Sequence, residues 1–508
     1  MDIYIVGAGT FAEKLTATFL SHGLDVNAFI DEFRSEPFIN RPVFKANQLI
    51  NVDSQDLFII TISHPEYAHN AKQRLLKQHV CSDKIIVLYY DSCAMLFEAM
   101  LSESVEKTKR CLVSCRGDFL TLESLFYGEQ QLDKAKSQIS FRMLGRGGNY
   151  YSHFANLPKL LAADNSINFY SDESLAPSIK NEMLSQHRML ETEAELVISA
   201  QLFPCSPAKT PKLTLTHAIY DSVMFRDTII ETLAQPNNHY IAIPSKASFE
   251  QHKKICIENK LTNNVVLIPI GYPKFDVNLR KYQHRSKAFT PDSVLYAPTQ
   301  SATRKPNSNS GYSIDHAMKC LKLLSNNNPE LNIIFRPHPD DLKLVQSGIQ
   351  SSNIKVLASL ITFIENLPKG EIDRKNSPID SYCRAKFMIS DTSSTAFTFA
   401  FSTLKPVIFY SPDEEELPKS WLESCFFKDR EEIGVIAKTP LELECCVKKI
   451  NNKFEIKSYH ERIYLLRKLQ LFNIGCAESK LINVISSIKK GEKLIGCWSL
   501  NEYKNVNQ

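Results

Sequence analysis

The chain has 508 residues, 43% of them hydrophobic, and a formal net charge of +4. That length exceeds one hydrophobic core, which seldom grows past roughly 250–300 residues, so several domains are expected. So small a charge gives no argument for a nucleic-acid partner, and no apolar run approaches the ~20 residues a bilayer span needs.

The first residues predict a strand, Ile3 to Val6, then Gly7-Ala8-Gly9-Thr10-Phe11-Ala12 and a helix. A second strand, Val26 to Ile30, is followed by Asp31, and further strands are expected at Leu57 to Thr61 and Lys84 to Tyr89. This is the dinucleotide fingerprint in its usual context. Gly7 makes the tight turn, Gly9 admits a phosphate, Ala12 lets the helix pack, and Asp31 is placed to hold a ribose hydroxyl. A nucleotide or NAD is the candidate ligand, against a Rossmann unit kept for structure alone. The unit is expected to end near residue 95 and to fold alone, with residues 96–135 a polar helical linker.

A second α/β unit, residues 136–284, opens with a strand at Ser140 to Leu144 and the glycine-rich turn Gly145-Arg146-Gly147-Gly148-Asn149. Strands at Ile167 to Tyr170, Leu196 to Ala200, Leu213 to Thr216, Tyr240 to Ile243 and Val265 to Ile268 follow at βαβ spacing. A third unit, residues 285–436, begins at Val294 and places strands at Phe335, Val356, Ile389 and Phe409. Residues 437–508 read as helices. The fold class is α/β: an N-terminal Rossmann-like domain, then a GT-B pair of doubly wound parallel sheets with a cleft between them. The stretch Ser301 to Ser313 reads as a mobile loop at that cleft.

The third unit carries the most informative chemistry. Strand Phe387 to Ile389 runs into Ser390-Asp391-Thr392-Ser393-Ser394, then an apolar helix and a second strand after Pro406. Hydroxyls and helix-start N–H groups at the carboxyl end of a parallel strand make a diphosphate cradle. The competing reading is a polar βα loop whose Ser and Thr merely cap a helix. Arg336-Pro337-His338-Pro339 follows another strand, and Ala297-Pro298-Thr299 closes a third. In the second unit, Gly271-Tyr272-Pro273-Lys274-Phe275-Asp276 ends one strand and His217 ends another. His153 and His252 read as surface or helix residues without a part in the site.

This ordered set, over roughly residues 212 to 413, resembles the CDP-glycerol glycerophosphotransferase family of teichoic-acid and capsule synthesis. The first 90 residues or so are similar to the small domain that precedes bacterial sugar O-acyltransferases, without the acyltransferase repeats. The resemblance implies transfer of glycerol phosphate from a CDP-activated donor to a lipid-linked glycan or polymer acceptor, with no cofactor and no metal. It implies His217 as base, Arg336 and His338 at the diphosphate or leaving group, and Asp391, Thr392, Ser393 and Ser394 around donor phosphate or polyol. A lipid-linked acceptor would bring the protein to the cytoplasmic leaflet. The eleven Lys and Arg between Lys448 and Lys493 suit an anionic membrane surface or, equally, the solvated faces of closing helices. Thirteen scattered cysteines without zinc or C-x-x-C spacing, and no signal-peptide pattern, are expected of a reduced cytosol.

Two departures bear on specificity. The family commonly continues its first histidine with Gly-Thr-Pro, whereas this chain has Ala218-Ile219-Tyr220-Asp221; Thr398 stands where the family often has Asp. A GT-B glycosyltransferase using a nucleotide sugar, and a non-catalytic nucleotide-binding protein, are therefore the alternative functions.

Overall fold

The computed structural model describes residues 1–49, 53–62, 65–88, 92–114, 122, 125–126, 137–142, 150–164, 167–171, 182–183, 195–200, 211–216, 218–220, 226–234, 238–302, 311–346, 351–450 and 453–507. Three mainly parallel sheets organise them. The first contains β1 (Ile3–Val6), β2 (Ala28–Ile30), β3 (Val43–Phe44), β4 (Leu57–Ile60) and β5 (Ile85–Val87), in the order β3-β2-β1-β4-β5. Near-continuous apolar strands such as Leu57–Ile60, buried at every residue, suit a sheet with helices on both faces.

The helix Ser92–Glu103 packs Phe97, Met100 and Leu101 into this first core, and the helix Val105–Ser114 adds Cys111 and Leu112. Phe97 meets Phe19 edge-on at 5.2 Å. The stretch expected to be a linker from residue 96 therefore supplies a face of the first unit. Its polar composition belongs to the outer face of amphipathic helices, whose inner face is apolar.

The second sheet holds β6 (Ser137–Arg142), β7 (Ile167–Ser171), β8 (Glu182–Met183), β9 (Leu196–Ser199), β10 (Lys212–Leu215), β11 (Asn238–Ile243) and β12 (Asn264–Pro269). The third holds β13 (Ser293–Tyr296), β14 (Asn332–Phe335), β15 (Gly370–Ile372), β16 (Ala385–Ser390), β17 (Val407–Tyr410) and β18 (Gly434–Ala437), in the order β15-β14-β13-β16-β17-β18. Val356, expected on a strand, lies within the helix Ser352–Glu365. Ile354, Leu357, Leu360, Ile361 and Ile364 recur at helical spacing there, and Ser351 caps the helix start by accepting the Ile354 N–H. The turn Gly145 to Asn149 lies outside the described residues.

The chain then returns. After the helix Lys453–Gln470, the helix Ala477–Lys489 packs Ala477, Leu481 and Ile485 onto the second sheet. The short strand β19 (Trp498–Ser499) pairs antiparallel with β12. Asp276 holds this return in place: its carboxylate accepts from the Gly475 and Ala477 N–H groups at 2.7 and 3.0 Å. Gly271, at φ +95°, lies so close to the returning backbone that a Cβ would sit 2.5 Å from the Phe472 carbonyl oxygen. The Gly-x-Pro-x-x-Asp signature is thus the socket for the C-terminal crossover.

A fragment of residues 1–95 lacks the apolar face that Phe97 to Leu112 provide, so it is expected to show no cooperative thermal transition by circular dichroism, whereas residues 1–130 melt cooperatively. A cooperative melt of the shorter fragment contradicts this packing account.

Candidate active site

The third sheet reverses its winding between β13 and β16, and the loops leaving those two strands carry Thr299 and Asp391. Crevices at such switch points, outside the carboxyl ends of strands, are where open α/β sheets bind ligands. The loop after β14, adjacent to β13, carries Arg336 and His338. Three neighbouring strand ends therefore bring together the third-unit residues singled out from sequence.

Asp391 does not face this crevice. It is 1% exposed. One carboxylate oxygen accepts from the Thr299 N–H at 2.8 Å, and the other from the Ser313 N–H at 3.0 Å and the Ser313 hydroxyl at 3.1 Å. Burial pushes its pKa up to about 6 although these hydrogen bonds pull the other way. Asp341 does related work one loop over, accepting from the Ser301 and Ala302 N–H groups at 2.9 and 3.0 Å. Two buried carboxylates thus fasten both ends of the segment read as a mobile loop; residues 303–310, with Arg304 and Lys305, lie outside the described residues. Thr392 is also buried, with its methyl beneath Gly311, where a Cβ would lie 2.5 Å away.

Ser393 and Ser394 are half-buried. Ser394 stands at the start of the helix Thr395–Thr403 without making a side-chain capping bond, and Ser393 takes only a 3.4 Å bond from the Thr395 N–H. The helix-capping alternative therefore does not account for Ser394. Thr398 sits one turn on, its hydroxyl 3.4 Å from the Ser394 carbonyl oxygen. The Lys-Pro element that follows is structural. Lys405, with its pKa lowered to about 8 by burial, donates to the carbonyls of Tyr382, Cys383 and Ala385.

Arg336 extends from the end of β14 to the Asp373 carboxylate at 2.7 Å, a pair of which little reaches solvent. Ser381 and the Lys375 N–H also donate to Asp373. His338 is more open, 39% exposed. Its Nδ1 accepts from the Asp340 N–H at 3.3 Å and lies 3.8 Å from the Asp340 carboxylate. In the neutral ring the proton then sits on Nε2, which makes that nitrogen a donor.

Facing this edge from the second sheet is a cluster the sequence reading did not assemble. Tyr272 Oη lies 2.5 Å from His153 Nδ1, and His153 Nε2 lies 3.5 Å from Lys274 Nζ. His153 and His252 both lie on helices, and both are buried. Burial lowers the His252 pKa to about 4. Lys274 sits inside a motif whose flanking residues, Gly271 and Asp276, are fixed by the crossover. His217 lies outside the described residues. The residues after it turn inward, with Tyr220 stacked on Phe397 at 4.1 Å and donating to Asp429. The departure from Gly-Thr-Pro thus places an aromatic ring against the third unit's helix Thr395–Thr403.

In the first unit, Gly7 at φ +97° makes the turn, Ala12 is fully buried, and nothing lies within 4 Å of a Cβ at Gly9. Asp31 differs from the ribose-holding expectation. Its carboxylate accepts from the Ala8 N–H at 2.8 Å and from the Phe33 and Arg34 N–H groups at 2.8 and 3.0 Å, and these bonds hold it below the usual carboxylate range. It clasps the glycine turn to the turn after β2. The open side of Gly9 fits a phosphate; the engaged Asp31 does not fit a ribose without rearrangement.

Two doubly wound sheets in succession, with hydroxyls, a histidine and an arginine at the carboxyl edge of the second, are a GT-B-type architecture. Residues 247–486 match the family described as CDP-Glycerol:Poly(glycerophosphate) glycerophosphotransferase. The match supports a transferase that moves glycerol phosphate from CDP-glycerol. No curated protein matches. Among solved structures, the wall teichoic acid polymerase TagF is similar at 15% identity, over 77% of this chain and 98% of that one, with a TM-score of 0.48. A TagF variant soaked with CDPG gives 16% identity over the same shares and 0.49. A putative UDP-N-acetylglucosamine 2-epimerase from Listeria monocytogenes gives 9%, over 71% of this chain and 100% of that one, and 0.42. Among the described residues, no helix is long and apolar enough to cross a membrane.

Replacing Asp391 by Ala leaves the Thr299 and Ser313 N–H groups without their acceptor, and unsatisfied buried donors cost about 1–3 kcal/mol each. Asp391→Ala is expected to lower the urea midpoint markedly, while Ser394→Ala changes it little. Equal midpoints for the two variants would remove Asp391 from its structural role.

Proposed function

We propose that the cleft transfers glycerol phosphate from CDP-glycerol to a hydroxyl of a lipid-linked glycan or polymer. The observation that carries this reading is the placement of Ser393 and Ser394 after β16 and of Arg336 and His338 after β14, the two strands that flank β13, within the family-matched residues. The acceptor oxygen attacks the phosphorus that bears glycerol, the bond from that phosphorus to the CMP oxygen breaks, and CMP leaves. Positioning and electrostatics supply most of the acceleration in such a reaction.

The chain's residues divide the work. Ser393, Ser394 and the adjoining helix N-terminus receive diphosphate oxygens. Nε2 of His338 donates to an oxygen on which charge develops, held in that tautomer by the Asp340 N–H at Nδ1. Arg336, oriented by Asp373, supplies fixed positive charge. His217 takes the proton of the attacking hydroxyl. The nucleotide-sugar alternative uses the same cleft, and the family match favours the polyol phosphate. A nucleotide or NAD in the first unit would lie over Gly9, and reaching Asp31 would require breaking its bond to Ala8.

The acceptor's lipid brings the enzyme to an anionic leaflet. Of the C-terminal cations, Lys448, Arg462, Lys490 and Lys493 already pair with nearby glutamates, which leaves fewer for that surface.

CMP release from CDP-glycerol, followed with an acceptor presented in anionic vesicles, tests the assignment. His338→Ala and His217→Ala are each expected to lower turnover by about 10²–10⁴-fold with an unchanged thermal midpoint. Turnover close to wild type in either variant removes that residue from the mechanism, and consumption of a UDP-sugar in place of CDP-glycerol replaces the donor.

A further inference from the structure

We infer that Lys274, reaching from the second sheet, is a second cation of the donor's diphosphate site, opposed to Arg336 on the third sheet, so that the anion is clamped from both halves of the cleft. This assignment rests on the proposed function for the identity of the donor, but the pairing of the two cations is independent of it.

Lys274 is held from behind. Its turn is fixed by the close approach of Gly271 to Phe472, by Asn473, which donates to the Pro269 and Ile270 carbonyls at 2.7 and 3.2 Å, and by Asp276, whose carboxylate is occupied by Gly475 and Ala477. Tyr272, beside it, is fixed through His153, and His153 Nε2 meets the ammonium at 3.5 Å. The helix Pro273–Arg285, in whose first turn Lys274 lies, packs against the helix Ile379–Arg384, whose Ser381 donates to the Asp373 carboxylate that holds Arg336, and this brings the ammonium within reach of the Arg336 charge.

Only one of the two cations has a carboxylate partner among the described residues. Asp373 is the ion-pair partner of Arg336 and already accepts from Ser381 and from the Lys375 N–H. Among the described residues, Lys274 has no ion pair of its own. Desolvation and the Arg336 charge lower its pKa to about 8. The Arg336 charge disfavours the ammonium form of Lys274, and an anion bound between the two reverses the sign. A diphosphate carries the charge and acceptor oxygens that such a pair binds. The helix Pro273–Arg285 adds its N-terminal N–H groups on the same side.

The groups packed around Lys274 determine what pH does. From its own half these are His153, Tyr272 and the engaged Asp276; from the other they are Arg336, Asp373 and Tyr382. Burial raises both tyrosine hydroxyls well above the neutral range, so they stay protonated while Lys274 titrates. In the empty site the ammonium is lost as pH rises through about 8, and diphosphate affinity should fall over that interval.

Isothermal titration of the full chain with inorganic pyrophosphate, CDP and CDP-glycerol between pH 7 and 9 tests the inference. The wild type is expected to bind all three and to weaken above pH about 8. Lys274→Met should bind each at least about ten-fold more weakly at pH 7, the equivalent of losing one charge-assisted bond. Lys274→Arg, whose charge persists, should retain binding and lose the weakening above pH 8. Unchanged pyrophosphate affinity in Lys274→Met overturns the inference, as does a Lys274→Arg profile that still falls like the wild type. If pyrophosphate binding depends on Lys274 but the wild type ignores CDP-glycerol, the clamp stands and the proposed donor falls.

Discussion

A buried carboxylate shapes the third unit of this protein. Asp391 takes the N–H groups of Thr299 and Ser313 while sitting at the end of β16, so three chain segments converge on one side chain. The N–H groups of these loops need acceptors once buried. With Asp391 and Asp341 satisfying them from inside, the wall of the crevice is fixed before any ligand arrives. Ser393 and Ser394 then follow at the rim, and the helix behind them starts where a diphosphate can meet it. Preorganisation of this kind is what phosphoryl transfer asks of a protein.

The two GT-B sheets are also joined by contacts that pass through the cleft's back wall. Tyr220 donates to Asp429, Gln470 bonds both Asp429 and the Ala247 N–H, and Arg285 pairs with Asp380 at 2.9 Å. The C-terminal return, socketed by Gly271 and Asp276, completes the sheet it left some two hundred residues earlier. The turn that anchors the crossover is the turn that carries Lys274. A single stretch of chain thus links the joining of the halves to the charge each half offers.

Much of this was legible in the sequence, for physical reasons. Strands such as Val265 to Ile268 and Phe387 to Ile389 are short apolar runs closed by Gly, Pro or Ser, and buried parallel strands require that pattern. The motif loops were placed at strand ends because that is where such polar residues fall. What failed depended on partners distant in sequence. The apolar run around Val356 fits a helix as well as a strand until its face is matched to a core. Leu112 lies in polar surroundings, and only the first sheet reveals its inward face; the apolar run around Phe97 continues the first unit past its expected boundary. Asp31 and Asp391 look like ligand-holding acids because an acid at a strand end serves ligand or backbone equally well; the hydrogen bonds decide. Nothing next to Lys274 in the chain signals its role, which comes from Arg336, sixty-two residues away and on another sheet.

The most direct measurement is an experimental structure of the full chain with CDP-glycerol bound. The account predicts the diphosphate at the switch point of the third sheet, its oxygens within hydrogen-bond distance of Ser393 or Ser394 and facing Arg336 and His338. Asp391 should remain bonded to Thr299 and Ser313. Donor bound in the first unit over Gly9 alone, or a diphosphate contacting Asp391 with those loop bonds broken, would contradict it.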